Sequence, residues 1–145
     1  MTPFANCIFH LLPLVLCLPV KVWSAEKCVW AEGKLECRKN PSVLANSVIR
    51  LYDRDGPRGN AFFDALDHLF RDDLMDIEHP HHSDGSFRLF GCEDDSTFGL
   101  FHTDPDPYIV IFHYCNSEEG EELRLRGFHT FMPQEHDVGT IVLDH

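Results

Sequence analysis

The segment Asp106-Pro107-Tyr108-Ile109-Val110-Ile111-Phe112-His113-Tyr114-Cys115-Asn116 decides the fold of this chain. Residues 108–114 within it are almost all apolar or aromatic. Strands that are covered on both faces carry such continuous runs, whereas half-exposed strands alternate apolar and polar residues. The segment therefore predicts a central β-strand that is buried on both faces.

Shorter β-like runs alternate with turn residues along the rest of the chain. Residues 48–52, 123–132 and 138–143 form three of these runs. Two further runs have an apolar face with a period of two residues. In residues 29–37 and 87–91 those faces consist of Val29, Ala31, Gly33, Leu35 and Cys37, and of Phe87, Leu89 and Gly91. The pattern predicts an all-β sandwich of about seven strands rather than parallel βαβ units.

Residues 61–73 are the exception to this β pattern. Their apolar residues follow helical spacing with aspartates between them, and Asn60 could cap the start. We predict a short helix whose stripe consists of Phe62, Phe63, Leu66, Leu69 and Phe70. The stripe either packs over one end of the sandwich or forms a contact with a partner or a lipid. These five residues are the predicted ligand or partner contact.

The first residues read as a secretory signal. An apolar stretch at residues 8–20 has the length of a signal core and is too short to span a bilayer. Small residues then follow, so we expect a signal peptide at residues 1–24, cleaved after Ser24 or Ala25. The alternative is a buried N-terminal strand or helix. Residues 26–145 would then form one secreted, extracellular domain.

The chain carries 12 basic and 24 acidic residues, a net charge of −12. This balance argues against nucleic acid as a partner, because nucleic-acid binding requires a basic face. It also argues against simple electrostatic attachment to anionic lipid. No stretch after the signal could cross a membrane, so we do not expect an integral membrane protein.

Four short strings in fixed order carry a family resemblance. The first is residues 33–37 followed by Pro41, and the second is residues 72–75 leading to residues 84–91. The third is residues 106–116, and the last is residues 137–143. Together they resemble the nematode transthyretin-like family of small secreted proteins. The resemblance implies a transthyretin/prealbumin-like (Ig-like) seven-stranded β-sandwich, in which the helix is inserted before Asp72.

Four cysteines remain after the signal, and they allow three disulfide connectivities. Compared with the family pattern, Cys28 and Cys92 are additional, and Arg124 stands where a third family cysteine is usual. Side-chain parity favours a buried Cys37–Cys115 bond, since both residues share faces with core residues. The same parity suits a more peripheral Cys28–Cys92 bond.

Histidines and aspartates raise the question of a metal site. His79, His81 and His82 could hold zinc or copper if the backbone brought them together. Pro80 forces an extended segment, however, and adjacent histidines on a strand point in opposite directions. The segments 53–56 and 84–86 resemble calcium loops but lack the full ligand series, so we interpret them as turns. We expect no metal and no cofactor.

No catalytic residue is expected either. The chain has no nucleophile elbow, and its C-terminal residues lack the Tyr-Arg-Gly-Ser signature of the 5-hydroxyisourate hydrolases related to transthyretin. His113 reads as a buried strand residue that is hydrogen-bonded to backbone. The chain is therefore not expected to be an enzyme.

The resemblance and these exclusions favour a secreted, non-enzymatic extracellular protein that binds a cell surface, a lipid or another protein. One alternative is a carrier that holds a small apolar ligand between the subunits of an oligomer. A hydroxyisourate-hydrolase-type enzyme is a weaker alternative. The sequence leaves the oligomeric state and the ligand open.

Overall fold

The computed structural model describes residues 26–54, 72–93, 96–97, 101–102 and 104–144. The strands in chain order are β1 Lys27–Glu36, β2 Val48–Asp53, β3 Asp73–Glu78, β4 Ser86–Glu93, β5 Ser96–Thr97, β6 Phe101–His102, β7 Pro107–His113, β8 Glu121–Arg124 and β9 His136–Val142. A 3₁₀ helix at Pro41–Asn46 joins β1 to β2. Within the described part of the chain, no helix is long and apolar enough to cross a bilayer.

Seven of these strands form two sheets that pack face to face. Sheet 1 has the order β4-β1-β9 and sheet 2 has the order β3-β2-β7-β8, while β5 and β6 pair only with each other. β1 pairs antiparallel with β4 and parallel with β9. Sheet 2 is antiparallel throughout. The predicted all-β sandwich of about seven strands is thereby confirmed.

The strand predicted to be central lies inside sheet 2. β7 pairs with β2 on one side and with β8 on the other. Ile109 and Ile111 face sheet 1 in the core, and Tyr108 and Val110 on the opposite face are also buried. The continuous apolar run therefore reflects burial of both faces, as predicted.

The predicted faces of β1 and β4 form most of the sheet 1 side of the core. Val29, Ala31 and Leu35 are fully buried, and Leu89 packs against them from β4. Ile49 and Leu51 complete the core from β2. Alternation with a period of two places Trp30, Glu32, Lys34, Arg88 and Phe90 on the outer face of sheet 1.

Both disulfides predicted from parity are present. Cys37–Cys115 joins the end of β1 to the residues after β7, so it links the two sheets, and both cysteines are buried. Cys28–Cys92 joins residues directly opposite each other on β1 and β4, within sheet 1.

Leu143 and Asp144 form hydrogen bonds with residues on both sides of Cys37. The carboxylate of Asp144 accepts hydrogen bonds from the backbone N–H of Arg38, at 2.8 Å, and from that of Lys39. These bonds lower the pKa of Asp144, with the Arg38 N–H making the largest contribution. The Leu143 N–H also donates to the Glu36 carbonyl at 2.9 Å.

Two strand predictions need correction. The run at 123–132 is a strand only up to Arg124, because the following residues leave sheet 2 for sheet 1. The Phe128 N–H donates to the Pro107 carbonyl, whereas the Met132 N–H donates to the Cys28 carbonyl. Conversely, β3 was not among the predicted runs. It is an edge strand with mostly exposed side chains, so it lacks a clear apolar alternation.

Several predictions fall on residues that the structure does not describe. The signal peptide at 1–24 and the stripe Phe62, Phe63, Leu66, Leu69 and Phe70 lie outside the described residues. Only the end of the predicted helix can be compared with the structure, and there the prediction is wrong. Asp72 has no regular structure and Asp73 already pairs with Asp53 in β3.

Candidate functional surface

The histidine segment after β3 does not form a metal centre. His79 Nδ1 lies 2.8 Å from the Ser47 carbonyl, and His81 Nδ1 lies 2.8 Å from the Ser83 hydroxyl. Across the residues that the structure describes, no group of three or more His, Cys, Asp or Glu side chains is arranged to hold a metal ion. The predicted turn at residues 84–86 is present, and Asp84 accepts hydrogen bonds from Ser86 that lower the pKa of its carboxyl.

His113 is a structural residue, as predicted. Its side chain is buried in β7, and the Cys115 N–H donates to its Nδ1 at 3.4 Å. The ring therefore supports the chain between β7 and the inter-sheet disulfide and is closed off from solvent.

Four apolar side chains lie at the edge where β3 meets β4. Trp30 and Phe90 are on the outer face of sheet 1, and Leu74 and Ile77 lie opposite Tyr52 and Arg50 on the outer side of sheet 2. Leu74, Ile77 and Phe90 are 46%, 48% and 47% exposed, which is unusual for large apolar side chains. Trp30 packs edge-on against Phe90, with ring centroids 6.0 Å apart. We refer to Trp30, Leu74, Ile77 and Phe90 as the apolar strip.

One carboxylate connects the two sheets beneath this strip. Asp76 Oδ1 accepts from the Ile77 N–H and Asp76 Oδ2 accepts from the Phe90 N–H, both at 2.9 Å. Edge strands expose unpaired backbone groups, and here a side chain supplies the missing acceptor. Because the same carboxylate binds both backbones, Ile77 and Phe90 are neighbours although they belong to different sheets.

Next to the strip, the outer face of sheet 1 contains an open groove of about 710 Å³. Its floor is the β1–β4 pair, where Glu32 lies opposite Arg88 and Lys34 opposite Ser86. Arg88 belongs to both features, since its guanidinium also lies 4.9 Å from the Trp30 ring centroid.

A bulge in β9 forms one wall of the groove. β9 advances from Asp137 to Thr140 while β1 advances only from Glu32 to Lys34, so β9 carries one extra residue. Gly139 has a φ of 69°, a conformation that favours glycine, and its N–H donates to Asp137 Oδ1 at 2.7 Å. Opposite the bulge, a Cβ on Gly33 would overlap the Val138 side chain.

The charges that line the groove are not balanced. Glu32 is neutralised by Arg88, whose Nη2 and Nε lie 2.8 and 3.2 Å from Glu32 Oε2. Lys34 lies 3.7 Å from Glu36 outside the groove. Among the described residues, neither Glu78 nor Asp137 has a cation within 4.0 Å. The groove therefore presents two carboxylates whose charge the described protein does not compensate.

His79 adds a hydrogen-bond acceptor to the same wall as Glu78. The Ser47 carbonyl can only accept, so His79 Nδ1 must carry the proton of that bond. In the neutral ring Nε2 is then left with its lone pair. The groove is thus lined by two carboxylates and by His79.

The outer face of sheet 2 carries a different arrangement, which we call the tyrosine cluster. Tyr52 stacks on Tyr108 with centroids 5.5 Å apart, and the Arg124 guanidinium lies 3.7 Å from the Tyr108 centroid. Asp72 accepts from the Tyr108 hydroxyl and lies 3.5 Å from Arg124. Burial and this bond raise the pKa of Tyr108 well above its usual value.

Comparison with known proteins identifies the family. Residues 32–126 match the family model described as TTR-52, Transthyretin-like family, which is more than half of the chain. The chain belongs to the transthyretin-like family. The matched region of this transthyretin-like chain begins within β1 and contains β2 to β8. Leu74, Ile77 and Phe90 of the strip lie inside it, whereas Trp30 precedes it.

Other comparisons add little for this transthyretin-like protein. No curated protein matches it. Among solved structures it is similar to a 9R-lipoxygenase from Cyanothece PCC8801, with 16% identity and a TM-score of 0.41. That similarity covers 80% of this chain and 16% of the lipoxygenase chain. A similarity of this size carries no argument for fold or function.

Sequence reasoning missed both the strip and the groove. Leu74 and Ile77 lie on a strand that the sequence did not indicate, and Phe90 was recognised only by its parity. The groove requires the parallel register of β1 and β9, which no local pattern reveals. A possible signal was Asp137-Val138-Gly139, because an aspartate two residues before a glycine is typical of a tight local turn.

Proposed function

We propose that this protein is a secreted, non-enzymatic binding protein that recognises another protein at a cell surface through the apolar strip. The observation that carries the proposal is the exposure of Leu74, Ile77 and Phe90 on neighbouring strands. Large apolar side chains grouped at a surface mark interaction sites more often than isolated ones do. Membership of the transthyretin-like family supports a non-enzymatic binding protein at a coarse level.

Secretion is part of the same proposal. Two disulfides are expected where the environment is oxidising, and the predicted signal at residues 1–24 would direct the chain there. The predicted stripe Phe62, Phe63, Leu66, Leu69 and Phe70 is a second contact region within this proposal. Its support is its helical apolar spacing in the sequence.

A protein partner fits the surface better than an apolar small molecule. The groove beside the strip is open and is lined largely by charged and polar residues. Sites for apolar ligands are mostly lined by apolar and aromatic side chains. A carrier of an apolar ligand would therefore need a second subunit to supply an apolar wall.

Native mass spectrometry of the secreted protein separates these two functions. The proposal expects no tightly held small mass. An oligomer that carries a releasable apolar molecule would instead favour the carrier.

Cell-surface binding tests the proposed function directly. Labelled protein is titrated onto cells that display an arrayed set of extracellular proteins from its source organism. We expect saturable binding that Leu74→Thr, Ile77→Thr and Phe90→Thr together weaken at least about tenfold, the effect of losing 1.4 kcal/mol of contact energy. Threonine keeps the β-propensity of these positions, so the fold is preserved.

Met132→Thr is the matched control, because Met132 is 44% exposed and lies outside the strip. Binding that is unaffected by the triple variant, or reduced equally by the control, would contradict the assignment of the strip. The absence of saturable binding to any displayed protein would contradict the function itself.

A further inference from the structure

We propose that the Cys28–Cys92 disulfide is a thiol-exchange site, where an incoming thiolate reacts while the domain stays folded. The ligand is a thiol, supplied either by a small molecule such as glutathione or by a cysteine of another protein. This reaction goes beyond the proposed binding function and does not depend on it. The second disulfide, Cys37–Cys115, should not exchange in the folded protein and therefore serves as an internal control.

The two disulfides differ in their access to solvent. Cys37 and Cys115 are only 3% and 7% exposed and belong to the core cluster between the sheets. Cys28 and Cys92 are partly exposed. Because side chains alternate along a strand, Cys28 lies with Trp30 on the outer face of sheet 1. Exchange requires contact between a thiolate and a sulfur atom, and exposed disulfides are the labile ones.

The position of Cys92 at an edge of its sheet adds to this access. Within the described residues, β4 pairs with β1 alone, whereas β1 lies between β4 and β9. The Met132 N–H donates to the Cys28 carbonyl at 2.9 Å, so the chain also runs along the side of Cys28 that faces away from β4. The Cys92 end of the bond is therefore the less enclosed one.

Opening this bond leaves the paired strands in place. β1 pairs with β4 through the backbone along residues 27–34, and Cys37–Cys115 still joins the two sheets. The reaction therefore does not require unfolding. Backbone pairing also holds the two sulfur atoms opposite each other, so a released cysteine thiolate is positioned to attack a mixed disulfide and restore the original bond.

Each step of the exchange replaces one sulfur–sulfur bond by another. The incoming thiol loses its proton to solvent, and its thiolate attacks one sulfur of the Cys28–Cys92 bond. A mixed disulfide forms, and the other cysteine leaves as a thiolate that takes up a proton. A second thiolate can then break the mixed disulfide, which yields two reduced cysteines and the oxidised form of the thiol. Both electrons come from the incoming thiols, so no further reductant is needed.

The location of the bond provides an optical signal. Cys28–Cys92 and Trp30–Phe90 are successive cross-strand pairs on the same face of sheet 1. In the form without residues 1–24, Trp30 is the only tryptophan of the chain. A disulfide quenches the fluorescence of a nearby indole, so opening of the bond should increase the emission of Trp30. A mixed disulfide would also place the rest of the thiol compound beside the apolar strip.

Timed thiol exchange tests the proposal on the secreted protein. The protein is incubated with reduced glutathione, free thiols are alkylated with iodoacetamide at intervals, and the modified cysteines are located by peptide mapping. We expect Cys28 and Cys92 to react at least about tenfold faster than Cys37 and Cys115, because the buried pair reacts only after local opening. Circular dichroism should stay unchanged while Trp30 emission rises.

A second arm uses a protein thiol. Thioredoxin in which the second active-site cysteine is replaced by serine cannot complete the reduction, so it should remain attached as a mixed disulfide at Cys28 or Cys92. A reaction with glutathione alone assigns the site to small thiols, and a reaction with thioredoxin alone assigns it to protein thiols. Both results support exchange at this bond.

Two controls separate exchange from other effects. S-methylglutathione has a similar shape but no thiol, and should cause neither modification nor a change in Trp30 emission. The variant Cys28→Ala with Cys92→Ala keeps only the buried disulfide, and should remain unmodified at the thiol concentration that converts the native protein.

Three results would overturn the proposal. They are equal reaction rates of the two disulfides, reaction of Cys28 and Cys92 only where circular dichroism shows unfolding, and no reaction in either arm.

Discussion

The tyrosine cluster and the groove lie on the outer faces of opposite sheets, and both contain carboxylates and cations. In the tyrosine cluster Asp72 is bonded to the Tyr108 hydroxyl and lies near Arg124, so the charge is satisfied within the protein. In the groove, neither Glu78 nor Asp137 has a cation within 4.0 Å among the described residues, and Asp137 accepts only from the Gly139 N–H. A closed network stabilises the fold, whereas an open one is available to a ligand.

The largest expected effect on stability is in the tyrosine cluster. Tyr108→Ala removes a buried ring and its contacts with Tyr52 and Arg124. It should lower the free energy of unfolding by about 3–5 kcal/mol. Tyr108→Phe keeps the ring and removes only the bond to Asp72, so about 1–2 kcal/mol is expected. Urea denaturation measures both changes. Losses below about 1 kcal/mol for the alanine variant would show that the cluster is not a structural element.

Removal of the Cys28–Cys92 disulfide is expected to have the next largest effect on stability. Cys28→Ala with Cys92→Ala should lower the free energy of unfolding by about 2–4 kcal/mol. The lower end is expected, because β1 and β4 remain paired from Lys27 to Lys34 without the bond. Urea denaturation measures this change, and a loss below about 1 kcal/mol would contradict the expectation.

A third effect on stability, at the start of β9, depends on pH. His136 stacks on Phe128 with centroids 3.9 Å apart, and burial lowers the pKa of His136 below its usual 6.5. The unfolded chain therefore binds this proton more readily than the folded one does. The stability that the neutral ring contributes is complete above about pH 6.5 and declines as the pH falls towards the folded pKa.

Urea denaturation across this pH range checks the expectation. His136→Phe should remove the decline while retaining the stack. Asp84 and Asp144 act in the same direction but in a more acidic range, because hydrogen bonds lower the pKa of each carboxyl. Their stabilisation is complete above about pH 3.8 and declines only at more acidic pH, so it does not overlap the histidine effect. An unchanged profile for His136→Phe would contradict the role of His136.

The smallest expected effect on stability is in the groove. Glu78→Gln with Asp137→Asn should change the free energy of unfolding by no more than about 0.5 kcal/mol, because neither carboxylate has a cation within 4.0 Å among the described residues and the asparagine still accepts from the Gly139 N–H. Urea denaturation of this variant and of Tyr108→Phe gives the comparison in one experiment. A loss as large as that of Tyr108→Phe would mean that the two carboxylates serve the fold.

Much of the fold could be predicted from periodicity. Side-chain parity predicted the core faces of β1 and β4 and the pairing of all four cysteines. The continuous apolar run of β7 predicted that both of its faces are buried. β3 could not be predicted this way, since an exposed edge strand has no apolar face to reveal it. The course of residues 125–135 was also missed, because their backbone bonds alternate between two distant strands.

The candidate surface was harder to predict for the same physical reason. Phe90 and Ile77 are neighbours only because Asp76 bonds the backbones of two sheets. Glu78 and Asp137 belong to one groove only because β9 lies parallel to β1 with a bulge at Gly139. Such long-range register is set by the assembled core and leaves little trace in local sequence. The stripe at residues 62–70 remains a prediction from spacing alone.

The most direct test of the central claim measures saturable cell-surface binding of three forms of the domain. They are the native protein, the triple variant Leu74→Thr, Ile77→Thr and Phe90→Thr, and Tyr108→Phe in the tyrosine cluster. The account predicts that the triple variant weakens binding at least about tenfold and that Tyr108→Phe leaves it unchanged. Equal weakening by the two variants, or no effect of the triple variant, would contradict it.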